Sequence, residues 1–264
     1  MHERKKVGVA LSGGVARGAA HIGVLEVLTQ AGIPIDYLAG ASAGAMVGAS
    51  FCAGVGIERM LEMSDQVNWL KLATLTWPRH GVLSFAPLEN QILDSLGDIH
   101  IEDLLIPMAV VATDLATFRT VVIREGCLAR AVRASCSVPG IVTPVEIDGR
   151  MLADGGASNN MPAQITRDMG AEYVIGVDLF QPSPFHKGGP VGGTITMIER
   201  FVEMSGGGFE GADYVITPKL SGKSYLRFSQ SRKMVELGRE AARAALPDLR
   251  RELAECGITC REVH

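Results

Sequence analysis

The chain lacks a C-x-x-C pair: its five cysteines, Cys52, Cys127, Cys136, Cys256 and Cys260, are odd in number and scattered over 264 residues. That pattern argues against a disulfide framework and a cysteine-built zinc site, and it fits a reducing compartment. A basic surplus is missing too. Lys and Arg number 25 against 29 Asp and Glu, a net charge of -4, whereas a nucleic-acid binder carries a basic surplus or stripe. Nucleic acid is therefore not an expected partner. No internal repeat or low-complexity block is visible, and with 47% hydrophobic and 20% charged residues the chain has ample material for a buried core. His21, His80 and His100 show no metal-ligand spacing, and no metal or cofactor is expected.

Long runs of large apolar residues are also scarce. Residues 37–57 carry no charge over 21 positions, but five are glycines (40, 44, 48, 54 and 56) and the rest are rich in Ala and Ser. Such a segment transfers poorly into a bilayer and has no basic flank to orient it. It reads better as a short strand, a tight turn and a helix of small residues. Residues 1–6 are basic, yet the chain breaks at Ser12-Gly13-Gly14 and reaches Arg17 before any sufficient apolar stretch, so no secretory signal is expected. The expected location is cytoplasmic, with at most transient, peripheral contact with a membrane.

What is present is an alternation of strands and helices. Val7 to Leu11 reads as a buried strand, followed by a small-residue loop and a helix carrying Ile22, Leu25 and Leu28. Further strands are expected at Asp36 to Ala39, Met108 to Thr113, Thr120 to Arg124, Val145 to Ile147, Tyr173 to Val177 and Tyr214 to Thr217. Helices between them make a three-layer α/β/α sandwich with a mainly parallel central sheet the economical fold. One domain over 1–264 is expected, with the motifs within about 7–179 and a C-terminal strand and helices over 213–264. Two stretches interrupt the rhythm. Asn68 to Phe85 holds both tryptophans, Trp69 and Trp77, and is expected either to border an apolar site or to be an ordinary helix on the core. Gln181 to Gly193 has seven Pro or Gly in thirteen residues and reads as a hinged loop before a helical pattern to Met204. Near the end, Met234, Leu237, Ala241 and Ala245 mark a helix that turns Arg232, Lys233, Glu236 and Arg239 to water.

Three motifs could carry chemistry. Gly40-Ala41-Ser42-Ala43-Gly44 fits G-x-S-x-G between a strand and a helix, where tiny flanking residues let the backbone bend and expose a nucleophilic hydroxyl. Gly/Ala/Ser strings also occur simply in tightly packed helices. Ser12-Gly13-Gly14-Val15-Ala16-Arg17-Gly18 follows the first strand. It fails as a Walker loop, with Gly14 and Val15 in the lysine and hydroxyl slots, and as G-x-G-x-x-G, with Val15 at the second glycine. Amides donating to an oxyanion remain feasible there, beside the plainer reading of a tight turn. Asp154-Gly155-Gly156 follows a hairpin turning at Asp148-Gly149; such an aspartate usually caps a turn, or it could serve as a base. After Ser42 and Asp154 only His186 and His264 could complete a Ser-acid-His order, and neither setting would hold an imidazole rigidly.

Together, Leu11 to Gly18, the turn Gly40 to Gly44 and Asp154-Gly155-Gly156 resemble the patatin-like phospholipase family in order and spacing. His21 to Leu25, Thr113-Asp114-Leu115, Arg133 to Gly140 and Pro144-Val145 are further family-like pieces. The resemblance covers about Val7 to Leu179. It implies a lipid acyl hydrolase with a Ser-Asp dyad: Ser42 as nucleophile, Asp154 as its partner and the Gly13-Gly14 loop as oxyanion hole, joined by the Ala43 amide, with Arg17 and Gly18 supporting the loop and Gly40 and Gly44 forming the elbow. Arg17 is a loop-fixing or anion-attracting residue in this reading. A thioesterase or short-chain esterase would use the same site, and a catalytically weak binding protein would keep the same fold. One departure stands out: the family's third loop glycine is Val15 here, and a β-branched residue opposes positive φ. An aspartate base titrates far below a histidine, about 3.9 against 6.5, so a dyad is expected to keep its rate down to about pH 5.5.

Overall fold

The computed structural model describes residues 4–76, 81–181, 189–204 and 208–260. Trp77, His80, residues 182–188 with His186, and His264 lie outside them, so the readings placed on those residues do too. In chain order the elements are β1 (Val7–Leu11), α1 (Ala19–Gln30), β2 (Tyr37–Ala41), α2 (Ala43–Cys52), α3 (Ile57–Gln66), α4 (Trp69–Leu72), β3 (Thr74–Leu75), β4 (Leu83–Ser84) and α5 (Ala86–Leu96). There follow β5 (Met108–Asp114), β6 (Thr120–Ile123), α6 (Leu128–Ser135), β7 (Val145–Ile147), β8 (Arg150–Asp154), α7 (Ala163–Asp168), β9 (Tyr173–Val177), α8 (Gly189–Met204), β10 (Tyr214–Ile216) and α9 (Ser231–Glu255).

Side chains alternate across a strand, and here the alternation sorts them by size. Val7, Val9 and Leu11 of β1 and Leu38 of β2 join the large core cluster, together with side chains of α1, α2 and α9. Ala10 faces the other way, packed with Met161, Ala163 and Val174, while Ala39 and Ala41 pack with Ala109, Val111 and Ile165. Small residues on that second face let α7 lie close against the sheet. The result is the expected three-layer sandwich. Its main sheet runs β10-β9-β1-β2-β5-β8-β7, with β6 also on β5. β10, β9, β1, β2 and β5 are mutually parallel, and the pairings of β6, β7 and β8 are antiparallel. In such a sheet the loops at the carboxyl ends of the parallel strands form the natural crevice. Those loops are Ser12 to Gly18 after β1, Ser42 after β2, and Asp178 to Gln181 after β9.

Two local expectations need correction. α8 already begins at Gly189, inside the stretch read as loop; a proline in the first helical turn has no N–H to leave unpaired, so Pro190 does not block the start. Arg239 does not simply face water but pairs with Glu26 of α1 at 2.7 Å and Glu236 at 3.0 Å, tying α9 to α1. Asn68 Oδ1 caps α4 by accepting from Lys71 N at 3.1 Å. The β3–β4 ribbon follows, and this excursion leaves Leu70 and Leu75 91% and 86% exposed. Among the described residues no helix is long and apolar enough to cross a membrane.

Candidate active site

β5 brings the two halves of the site together. Ala41, the last residue of β2, pairs with Val111, and Asp154, the last of β8, pairs with the next residue, Ala112. Ser42 follows Ala41 directly. Its Oγ donates to Asp154 Oδ2 at 2.6 Å, and both residues are buried. The second carboxylate oxygen, Oδ1, accepts from Gly156 N at 2.8 Å. Turn cap and serine partner are thus two oxygens of one side chain.

The strand turns into α2 without a spacer, and Ser42 takes a φ of 51° to do so. A non-glycine residue pays about 1 to 3 kcal/mol for such a conformation. The turn also leaves no room at its flanks: a Cβ on Gly40 would lie 2.6 Å from the Gly44 carbonyl, and one on Gly44 2.2 Å from the Leu11 carbonyl oxygen. Ser135 fixes the elbow from below, its Oγ accepting from Ser42 N at 2.8 Å and donating to the Val111 carbonyl at 2.6 Å. Sequence reasoning assigned Ser135 no role, although it lies within the family-like run Arg133 to Gly140.

The glycine loop differs in one respect from its expected use. Gly13 N donates to the Asn160 carbonyl at 3.1 Å, because the chain after Asp154 runs alongside the loop. The amides of Gly14, Val15 and Ala43 have no acceptor among the described residues, and all three residues line the same cavity as Ser42. Val15 has a φ of 49°, so the departure from glycine falls at a left-handed position. Alanine and glycine at Val15 both remove the branched methyl groups, but only glycine also removes the Cβ that strains the backbone. Val15→Gly should be more stable than Val15→Ala by about 1 kcal/mol in denaturant unfolding; equal stabilities would mean the strain is not there.

Arg17 is buried beneath the loop, its guanidinium carbon 3.4 Å from the Tyr225 ring centroid. It donates to the carbonyls of Lys223 at 2.8 Å and of Leu179 and Gln181 at 3.3 Å. These contacts tie the loop to the end of β9 and to the segment before α9. Gly18 stands against Ala43, where a Cβ would come within 2.7 Å of the alanine's own.

Burial pushes the Asp154 carboxyl up to about 6, against the hydrogen bonds from Ser42 and Gly156, which favour the ionised form. At neutral pH it is mainly a carboxylate able to take a proton. Cys136 lines the same cavity, but burial first, then the Asp154 charge, push its thiol up, so it stays protonated and un-nucleophilic. His21 is buried with Nε2 2.7 Å from the Ser12 carbonyl, and burial lowers it to about 4, leaving a neutral ring that supports the loop. No imidazole among the described residues hydrogen-bonds Ser42 or Asp154. No group of three His, Cys, Asp or Glu among them is arranged to hold a metal ion.

Ser42 and Asp154 open onto a cavity of about 140 Å³ whose wall is otherwise mostly carbon, with Trp69, Leu72, Phe85, Leu88, Val142 and Phe180 among its residues. The Patatin-like phospholipase family model matches residues 9–167. The chain belongs to this family. Among curated patatin-like relatives, Neuropathy target esterase sws of Drosophila melanogaster is 38% identical over 181 residues, 66% of this chain and 13% of that protein. Human Patatin-like phospholipase domain-containing protein 6 is 36% identical over 183 residues, with the same two coverages of 66% and 13%. The chain thus spans about an eighth of the length of these relatives. Among solved structures, VipD from Legionella pneumophila shares the patatin-like fold, at a TM-score of 0.60 and 15% identity over 93% of this chain and 67% of that one.

Proposed function

We propose that the chain is a serine acyl hydrolase that cleaves carboxylic esters of lipids through a Ser42–Asp154 dyad. The observation that carries this reading is the 2.6 Å hydrogen bond from Ser42 Oγ to Asp154 Oδ2 at the wall of an apolar cavity. Ser42 Oγ attacks the ester carbonyl while Asp154 takes its proton. The oxyanion is met by the amides of Gly14, Val15 and Ala43, the last at the positive end of α2. Collapse breaks the ester C–O bond, and Asp154 returns the proton to the departing alcohol. Water then attacks the acyl-serine, giving its proton to Asp154, and the acid leaves as Ser42 recovers its hydroxyl. Gly13 shapes the loop rather than donating to the substrate. Incubation with a long-chain phospholipid and with esters of graded chain length should release free fatty acid; no release from any ester would contradict the reading.

The same reading includes transient contact with a membrane surface. Trp69 lines the cavity, its Nε1 donating to the Leu226 carbonyl at 2.9 Å, while the adjacent Leu70 and the ribbon residue Leu75 stand in water. Arg227 and Lys233 line a surface groove with Trp69 and Leu226, which suits an anionic lipid surface. Inserting each leucine is worth about 1.5 to 3 kcal/mol. Leu70→Ser with Leu75→Ser should therefore lower hydrolysis of anionic vesicles by tenfold or more and leave a short soluble ester within twofold. Equal losses on both substrates would show that the segment only supports the fold.

A further inference from the structure

A second cavity, about 90 Å³, shares a wall with the first. Val15, Met46, Leu72, Leu88 and Phe228 line both. Behind that partition the wall is built from Ile22 of α1, Val47 and Ala49 of α2, Met60 and Met63 of α3 and Ile92 of α5. Its three hydroxyls all have acceptors within the protein: Ser50 Oγ donates to the Met46 carbonyl at 3.5 Å, Ser64 Oγ to the Leu61 carbonyl at 2.9 Å and Ser231 Oγ to Asp65 at 3.0 Å. Gln91 contributes an amide whose Oε1 is buried without a hydrogen-bond partner among the described residues, the one such polar atom in an otherwise mostly carbon wall. Each cavity is well above the roughly 10 to 15 Å³ that one water needs, and apolar cavities of this kind take up apolar ligands in preference to water.

Of the residues lining both cavities, Met46 stands nearest in the chain to the Ser42 elbow on the α2 side. It lies one turn beyond Ser42 on α2, its N–H donating to the Ser42 carbonyl at 3.1 Å, and residues so spaced share one helix face. Its side chain is unbranched, with three rotatable bonds, and adapts to what is beside it.

We infer that the second cavity is a chamber for the distal part of a long, unbranched acyl chain, with Met46 as the movable partition between it and the reacting ester. This rests on the proposed reading of Ser42 as the acyl acceptor. A short acyl group ends in the first cavity. A long one must either cross Met46 or leave its tail in water, and each methylene moved out of water is worth about fourfold in affinity. The chamber therefore makes long acyl esters the preferred substrate class, with the limit on length set by α3.

The test uses residues that line only the second cavity. Met63→Trp fills it from α3, Ala49→Leu fills it from α2, and Met63→Ala enlarges it. Two readouts are taken on the whole chain: kcat/KM for esters from butyryl to palmitoyl, and binding of cis-parinaric acid, a fluorescent long-chain fatty acid. Both filled variants should keep butyryl hydrolysis within twofold while losing tenfold or more on palmitoyl ester and in parinarate affinity. Met63→Ala should shift the preference towards longer chains, an outcome that damage to the fold would not produce. Unchanged chain-length profiles and unchanged parinarate binding in all three variants would overturn the inference. If no ester is hydrolysed by the unmodified chain but parinarate binding still falls in the filled variants, the chamber stands and the hydrolase reading fails.

Discussion

Ser42→Ala should reduce ester hydrolysis by about 10⁴- to 10⁶-fold, the loss seen when one member of a unit-acting nucleophilic site is removed. The size follows from the site having no substitute. Cys136, beside Ser42, is held as a neutral thiol by burial, and Ser135 is committed at both lone pair and proton to Ser42 N and the Val111 carbonyl. The fold should survive, because the substitution removes a hydroxyl at the cavity wall, where it meets Asp154 and Cys136, and a methyl group fits where the CH₂OH stood. Circular dichroism and the unfolding midpoint check that point. An alanine variant retaining a tenth of the activity would place the nucleophile elsewhere.

Asp154→Asn should cost about 10⁴-fold in kcat/KM. The amide fills the same space but cannot take the serine proton. In the unmodified chain kcat/KM should be level above neutrality and fall tenfold per pH unit below about 6, because the base must be ionised in the free enzyme and burial holds it at about 6. This revises the limb near pH 5.5 expected from an ordinary aspartate. Burial moves the acid limb close to where a histidine would put it, so substitution, more than pH alone, separates the two: His186→Ala should leave activity within a few-fold. The same shift bears on stability. A carboxyl raised in the folded state favours folding most at low pH, and that contribution is lost as pH rises from the unfolded value to about 6. The asparagine variant, which never ionises, should therefore be more stable than the unmodified chain at pH 7 to 8, by up to about 3 kcal/mol, with the difference vanishing in acid. Denaturant melts at the two pH values measure it.

Much of this was legible in the chain because it is written locally. β1, β2, β5 and β9 lie within a residue or two of their expected spans, since buried apolar runs bounded by glycine and turn residues specify them directly. The hairpin turn at Asp148-Gly149 has φ values of 51° and 72°, as that dipeptide implies. Ser42 and Asp154 were named from motifs, but their meeting depends on β5 pairing with both β2 and β8, a contact across 112 positions. The distant partners were not legible for the same reason. Asn160 takes the Gly13 amide, Tyr225 covers Arg17, and Ser135 holds the elbow; each joins segments that no local pattern connects. Asp154 shows how two competing readings of one residue coexist. The turn cap uses Oδ1 and the contact with Ser42 uses Oδ2, so the statistics favouring a cap say nothing against the proposed base.

The most direct measurement is covalent. A fluorophosphonate reacts with an activated serine hydroxyl, and its adduct survives digestion and peptide mass spectrometry. Labelling of the unmodified chain should reach one adduct per molecule, located at Ser42, and should be lost in Ser42→Ala and strongly slowed in Asp154→Asn. Adducts on a different serine, or none on the unmodified chain under conditions that label other serine hydrolases, would contradict the Ser42–Asp154 dyad.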